Sequence, residues 1–298
     1  MEQANEGNPI PDADKPEQTR SGRRGISVLG QRWLTAAIAI PIVLAFTLLG
    51  GWFAFVGATA VVALGTYELY NMVHQAGHRP LIIISIALNL LFLVAAMFPQ
   101  QRLLFLESGL SGALFISFLW LLFRQKLDGA FVDWSLTMAI PIYLGWPMSL
   151  ALLLRGYQLS WPLPPGIWWV LLILLGTWGF DSAAFFFGRY FGRHKLAPNI
   201  SPGKTWEGVA GGMLLSIIAA LLFTVVPLHV PWYIAIVLGI WIGFAAVLGD
   251  LAESLIKRST HVKDSGQFMR GHGGMLDRID SLLFVAIAVY VFAQLIGK

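Results

Sequence analysis

Four polar residues near position 250 repeat at the spacing of one helix face. Asp250, Glu253, Ser254 and Lys257 occupy positions i, i+3, i+4 and i+7, so a helix places all four on one side. Carboxylate oxygens are the ligands that Mg²⁺ prefers, and Mg²⁺ often keeps waters and substrate phosphates in its remaining positions. The spacing therefore predicts a helix with a cation-binding face.

A second acidic group stands a short loop further along the chain. Asp277, Asp280 and Ser281 repeat the i, i+3, i+4 pattern. Two such faces at the same end of neighbouring helices can converge on a hard cation. We therefore predict a Mg²⁺ site, with a second cation as an open alternative. Its predicted ligands are Asp250, Asp277, Asp280 and Glu253. Zinc is disfavoured because the chain contains no Cys.

The loop between the two acidic groups is basic and rich in glycine. Cationic side chains hold phosphate oxygens, glycines let backbone N–H groups approach them, and the N-terminus of the next helix favours an anion. A metal held by carboxylates beside cations that hold phosphates is typical of phosphoryl and nucleotidyl transfer. A basic patch that only contacts anionic lipid remains the open alternative. The residues assigned to this loop are Lys257, Arg258, Lys263, Asp264, His272, Gly273, Gly274 and Arg278. For His272, a general base, a substrate contact and a turn residue all stay open.

An earlier segment supplies a second basic loop. Asp181 precedes it, and Ser201, Lys204 and Thr205 stand just before another apolar run. Lys204 and Thr205 are placed to contact an anion at a helix N-terminus, although the spacing is not that of a P-loop. Glu68, near the end of a different apolar run, is interpreted as an interfacial carboxylate in water rather than a catalytic one, with the catalytic role as the open alternative.

Long apolar runs must position these groups. The 298 residues are 57% hydrophobic and 12% charged, with a mean hydropathy of +0.70, whereas a soluble domain is about 25% charged. A helix needs about 20 apolar residues to cross a bilayer. The sequence therefore predicts an all-α polytopic integral membrane protein with nine transmembrane helices and cytoplasmic catalytic loops. The predicted spans are 33–50, 52–73, 81–98, 103–123, 136–155, 167–190, 206–226, 232–256 and 281–297.

The distribution of Lys and Arg predicts the orientation of the chain. With nine spans, all but three of the 20 Lys and Arg residues fall on one side, the exceptions being Arg102, Arg155 and Lys298. Cytoplasmic loops carry such an excess, which predicts a cytoplasmic N-terminus and an external C-terminus. Residues 1–25 are expected to form a disordered tail. Residues 26–298 are expected to form one transmembrane catalytic domain, with its motifs in 177–281.

Two stretches of the chain resemble the phosphatidate cytidylyltransferases, also called CDP-diacylglycerol synthases. The first runs Ser254-x-x-Lys257-Arg258-x4-Lys263-Asp264-x-Gly266 and continues to His272-Gly273-Gly274-x-x-Asp277-Arg278-x-Asp280. The second comprises Asp181 and the segment 195–208. Met269 and Arg270 depart from the usual pattern of the family, which bears on the loop conformation more than on the ligands.

The resemblance implies a Mg²⁺-dependent reaction of CTP with phosphatidic acid that yields CDP-diacylglycerol and pyrophosphate. It also implies phospholipid synthesis in the bilayer of a cell inner membrane, with a homodimer left open and no nucleic acid partner. The residues expected to be catalytic are Asp250, Asp277, Lys257, Arg278 and Asp280. The residues expected to bind substrate are Arg258, Lys263, Asp264, His272, Gly273, Gly274, Ser201, Lys204, Thr205 and Asp181. Two alternatives stay open, a CTP-dependent kinase of a lipid alcohol and a transporter with intramembrane acids.

Overall fold

The protein is a bundle of apolar helices in a computed structural model that describes residues 28–124, 127–156, 163–262, 265–266 and 273–297. The helices are α1 (Val28–Leu49), α2 (Gly51–Gln75), α3 (Ile82–Met97), α4 (Arg102–Leu122), α5 (Ala130–Tyr143), α6 (Gly145–Arg155), α7 (Pro165–Phe191), α8 (Trp206–Ala220), α9 (Val226–Leu228), α10 (Trp232–Ser259) and α11 (Leu276–Leu295). A π-helical segment, Leu221–Val225, joins α8 to α9. Two strands, β1 (Lys195–Ala197) and β2 (Ser201–Thr205), lie between α7 and α8.

The prediction of an all-α polytopic membrane protein is confirmed. Among the described residues, 6 helical segments have the length and hydropathy to cross a membrane, and two shorter apolar helices accompany them. The 6 segments are Gly51–Gln75, Arg102–Leu122, Ala130–Arg155, Pro165–Phe191, Trp206–Leu228 and Trp232–Ser259. Each predicted span overlaps a helix, but a count of nine crossings stays a prediction. The predicted tail, residues 1–25, lies outside the described residues.

Two local features differ from the single spans and plain loops that the sequence predicts. The predicted span 136–155 consists of two helices, α5 and α6, which meet at Leu144. Pro147 has no N–H to donate to the carbonyl of Tyr143, so the helical ladder is interrupted there. The segment after α7 forms a small antiparallel hairpin, in which Lys195 pairs with Thr205 and Ala197 with Ser201.

The outer surface of the bundle carries many large apolar side chains. Ile83, Phe115, Leu122 and Leu295 are all at least 73% exposed. A soluble protein rarely exposes so many large apolar side chains, whereas lipid tails are an apolar solvent for them. The surface therefore agrees with the apolar composition.

Helix α11 lies between two buried clusters. One face, which includes Val289, packs with residues of α7 and α10 such as Leu172 and Ile242. Another face packs with residues of α2, including Leu69, beside Leu283. The first half of the chain therefore contacts the same helix as the second half, and both determine where its polar N-terminus lies.

Helices α10 and α11 approach closely because Gly249 has no side chain. A Cβ atom at this position would lie 2.7 Å from the Cα atom of Ser281 and 2.5 Å from the carbonyl oxygen of Asp280. Small residues allow such close contacts between membrane helices. This contact brings Asp250, the next residue of α10, to the start of α11.

Candidate active site

Three carboxylates converge where α10 meets α11. Asp250, Glu253 and Asp280 can each offer one oxygen, and these oxygens all lie within 4.8 Å of one another. Glu253 is 1% exposed and Asp280 is 8% exposed. Three acids this close repel one another unless a cation or a proton intervenes. We call Asp250, Glu253 and Asp280 the three-carboxylate group.

One oxygen of this group has no hydrogen-bond partner within the part of the chain that the structure describes. Glu253 Oε1 is buried without such a partner, whereas Asp280 Oδ1 accepts the backbone N–H of Ser281 at 2.6 Å. A buried carboxylate oxygen without a donor is costly. The group therefore fits a hard cation with oxygen ligands, such as Mg²⁺.

Two lysines contact the acids of this site from different elements. Lys257 Nζ, on α10, lies 2.6 Å from Glu253 Oε2 and 2.7 Å from Asp277 Oδ1. Lys204 Nζ, in β2, contacts Asp250 Oδ2. The structure thus brings both basic loops of the sequence analysis to one acidic centre.

Asp277 lies beside the three-carboxylate group rather than within it. Its Oδ1 atom faces Lys257, and its Oδ2 atom accepts the Ser265 hydroxyl and the Gly274 N–H, both at 2.9 Å. These partners orient the carboxylate at the first turn of α11. A metal-ligand role for Asp277 stays a prediction.

The hairpin is tied to the helices on both of its sides. Arg258 Nε donates to the Ile200 carbonyl at 3.3 Å, which joins the end of α10 to the hairpin. Thr205 is the N-cap of α8, because its hydroxyl accepts the Gly208 N–H at 3.2 Å. Thr205 is buried, at 6% exposure. These contacts hold the strand that carries Lys204.

The remaining predicted site residues are spread around this centre. Asp181 is exposed on α7 and lies within electrostatic range of Asp250, Lys204 and Arg278. Arg278 is itself exposed on α11. Ser201 is half-buried in β2, and Gly273 and Gly274 precede α11. Lys263, Asp264 and His272 lie outside the described residues.

Glu68 is a site residue that the sequence analysis missed. It is 4% exposed, so its interpretation as an interfacial carboxylate in water is wrong. Its Oε1 atom accepts the Met275 N–H and its Oε2 atom accepts the Leu276 N–H, both at 2.8 Å. The N-terminus of the last helix was expected to favour an anion, and the anion found there is the Glu68 carboxylate. An acid in an apolar run signals a hidden partner, but the sequence did not identify that partner.

Tyr143 is a second residue that was missed. Its hydroxyl is buried without a hydrogen-bond partner among the described residues, and it lies within electrostatic range of the whole three-carboxylate group. Its ring packs edge-on against Phe284, with 6.3 Å between the centroids. A tyrosine in an apolar run gave no signal, because such residues commonly face lipid or membrane interfaces.

This arrangement has the parts that phosphate chemistry requires. A buried acidic centre can hold a divalent cation, and lysines beside it can contact the oxygens of a polyphosphate. The acids lie at the C-terminal half of α10 and the N-terminal turn of α11, at one end of the bundle. The site therefore suits a water-soluble anion that meets a lipid at the membrane surface.

Comparison with known proteins agrees with this chemistry. Residues 30–296 match the model of the cytidylyltransferase family. The phosphatidate cytidylyltransferase of Synechocystis sp. is 33% identical over 303 aligned positions, which cover 89% of this chain and 97% of that protein. The enzyme of the same name from Bacillus subtilis is 32% identical, with 89% and 97% covered. That of Pseudomonas aeruginosa is 33% identical, with 90% and 97% covered.

Proposed function

We propose, from the premise that the chain belongs to the cytidylyltransferase family, that it transfers the cytidylyl group of CTP to phosphatidic acid. The products are CDP-diacylglycerol and pyrophosphate, in phospholipid biosynthesis. The observation that carries this proposal is the three-carboxylate group with Lys204 and Lys257 in contact with its acids. The relatives described above are named for this same activity.

Mg²⁺ is the proposed cofactor, with a second cation as an open alternative. Asp250, Glu253 and Asp280 would hold it, with the Glu253 oxygen that lacks a partner among the described residues as one ligand. Asp277 would complete or orient the ligand set from beside them. When bound, the cation would withdraw charge from phosphate oxygens.

The lysines are proposed to exchange partners during the reaction. Lys204 and Lys257 contact carboxylates in the structure, and both are on flexible stems with three donors each. In the substrate complex, we expect them to contact the oxygens of the CTP triphosphate. Arg258, Lys263 and Arg278 supply further cations for the triphosphate and the lipid phosphate. Asp181, Ser201, Thr205, Asp264, His272, Gly273 and Gly274 complete the proposed substrate site.

The chemical step forms one bond and breaks one. A phosphate oxygen of phosphatidic acid attacks the α-phosphorus of CTP, and the bond from that phosphorus to the bridging β-phosphate oxygen breaks. No strong base is needed, because a phosphate monoester is anionic near neutral pH. Charge spreads over the phosphoryl oxygens in such a transition state, so fixed cations beside them supply most of the stabilisation.

The proposed orientation places this site at the cytoplasmic face of an inner membrane. One structural feature supports a shared side for two of the loops predicted to be cytoplasmic. The loops after α2 and α4, both predicted to be cytoplasmic, meet at Asp133, whose two oxygens accept the Arg79 N–H and the Arg124 guanidinium, each at 2.7 Å. CTP is a cytoplasmic metabolite, which suits this side. A homodimer remains part of the proposal.

The test is a transfer assay on the purified protein in detergent. Phosphatidic acid and Mg²⁺ are supplied with CTP labelled at its α or its γ phosphate. We expect the α label in the lipid and the γ label in pyrophosphate. If the γ label enters lipid, a CTP-dependent lipid kinase replaces the proposal. If neither label enters any phospholipid or lipid alcohol, the result contradicts both transfer reactions and favours the transporter alternative.

A further inference from the structure

Glu68 joins the first half of the chain to the proposed active site. It lies on α2, and its three hydrogen-bond contacts are to residues 197, 207 and 208 positions later. None of the proposed ligands or lysines is on α2. The contacts therefore connect a helix without a proposed chemical role to the helix that carries Asp277 and Asp280.

The two oxygens of Glu68 form a fork on the start of α11. One oxygen accepts the Met275 N–H and the other accepts the Leu276 N–H, each at 2.8 Å. The first N–H groups of a helix have no partner within the helix, and a carboxylate is favoured there by the helix dipole. The fork thus determines both the position and the direction of the first turn.

Ser265 extends this contact to Asp277. Its hydroxyl lies 3.4 Å from Glu68 Oε2 and 2.9 Å from Asp277 Oδ2, and with one hydrogen it donates to one of them at a time. Asp277 in turn contacts Lys257. Glu68 is therefore linked to the lysine through three polar contacts, with Ser265 and Asp277 between them.

The backbone of two glycines lies directly against the Glu68 carboxylate. A Cβ atom on Gly274 would lie 2.5 Å from Glu68 Oε2, and one on Gly266 would lie 2.6 Å from Glu68 Oε1. Both glycines therefore let the chain pass directly over the carboxylate. Such packing leaves no room among these atoms for a substrate group to contact Glu68.

We propose that Glu68 is a positioning residue for the metal site. By anchoring the first turn of α11, it places Asp280 against Asp250 and Glu253, and it places Asp277 against Lys257. It acts through these residues and does not touch the substrate. This inference rests on the proposed function, because the site that it positions is the proposed Mg²⁺ site.

The test compares Glu68→Gln with wild type and with Glu107→Gln. Glutamine has the volume of glutamate, but it keeps only one acceptor oxygen and turns an NH₂ group toward the second N–H. Glu107 is an exposed acid on α4, so its variant controls for the loss of one negative charge. Mutation of the residues that support metal ligands typically lowers metal affinity or activity by about 10- to 100-fold. We expect such a fall in kcat for Glu68→Gln and a rise of similar size in the Mg²⁺ concentration for half-maximal rate.

Metal binding is measured separately, so that this inference does not depend on transfer activity. Mn²⁺ binding to the purified protein in detergent, followed by electron paramagnetic resonance, should weaken by about tenfold or more in Glu68→Gln and stay unchanged in Glu107→Gln. Wild type that binds Mn²⁺ but transfers no label would contradict the proposed function alone. Glu68→Gln that binds Mn²⁺ as wild type does would contradict the positioning role alone.

A purely structural role predicts a different result. In that case Glu68→Gln would lower the melting temperature, while the folded fraction kept the wild-type kcat and Mg²⁺ dependence. That outcome would overturn the proposal. Ser265→Ala provides a second variant that leaves the fork in place, and we expect a smaller shift of the Mg²⁺ dependence in the same direction. No shift in Ser265→Ala together with none in Glu68→Gln also rejects it.

Discussion

Lys204 at the end of β2 forms an ion pair with Asp250 of α10. The two residues are on different elements, and their pairing brings the hairpin over the three-carboxylate group. The Lys204 ammonium group neutralises Asp250, and it thereby occupies a position at the acidic centre that a metal ion could take. Substrate and metal binding are therefore expected to depend on each other through this pair.

The first prediction concerns the removal of Lys204. Lys204→Ala should raise the KM for CTP by about 10- to 100-fold, because a hydrogen bond to a charged group contributes about 1.5–3 kcal/mol and about 1.4 kcal/mol corresponds to tenfold. Steady-state kinetics on the purified variant and the wild type measure this change in the KM for CTP.

The same variant tests whether Lys204 competes with the metal ion for Asp250 or helps to hold the metal site together. Without CTP, Mn²⁺ should bind Lys204→Ala at least as tightly as wild type, since the lysine no longer competes for Asp250. Weaker Mn²⁺ binding would show that Lys204 supports the metal site instead. Lys195→Ala, an exposed lysine of β1, is the matched control and should keep the wild-type binding.

The second prediction concerns the buried ligand on α11. Asp280→Asn keeps the shape of the side chain but removes its charge, so the proposed cation loses an anionic ligand. Activity should fall by more than about 100-fold, since even the outer partners of metal ligands change it by about 10- to 100-fold. Asp128→Asn, an exposed acid after α4, should retain activity. A folded Asp280→Asn protein with near-normal turnover would contradict the assignment.

The third prediction concerns the close contact between α10 and α11. Gly249→Ala places a methyl group 2.7 Å from the Ser281 Cα atom, so the helices must separate. Overpacking of this kind typically costs about 1–3 kcal/mol, and it also moves Asp250 away from Asp280. We expect a lower melting temperature and reduced activity per folded molecule.

Gly112→Ala is the matched control for this substitution. Gly112 lies on α4, and a Cβ atom there meets nothing within 4 Å among the described atoms. It should therefore leave the melting temperature and the activity close to wild type. Equal effects of the two alanines would show that helix separation is not the cause.

The fourth prediction concerns the orientation in the membrane. The chain has no natural Cys, so single cysteines can be placed without background labelling. Asp128→Cys, in a loop predicted to be cytoplasmic, should react with an impermeant maleimide only after the cells are opened. Gln101→Cys, in a loop predicted to be external, should react in spheroplasts. The reverse pattern would invert the proposed topology.

Local spacing was enough to predict half of the candidate site. Asp250, Glu253 and Lys257 share one face of α10, as the helical spacing requires, and Glu253 contacts Lys257. The apolar runs predicted the membrane helices, because length and hydropathy are properties of each segment alone. The motifs also indicated the family, since they lie in one continuous part of the chain.

Contacts between distant segments were decided by the tertiary structure. Glu68 and Leu276 are 208 residues apart, and no local rule connects an acid at the end of one helix with the N-terminus of another. The packing of α11 also decided that Asp277, a predicted metal ligand, lies against Lys257, Ser265 and Gly274.

The sequence by itself determined which side chains can do chemistry, on which helix faces they lie, and that the helices are apolar enough for a membrane. The tertiary structure decided which faces meet, because the approach of α10 to α11 depends on the missing side chain of Gly249 and on the packing of α11 between two buried clusters. A buried carboxylate such as Glu68 is stable only with donors from outside its own helix. Those donors become neighbours only when the bundle is assembled.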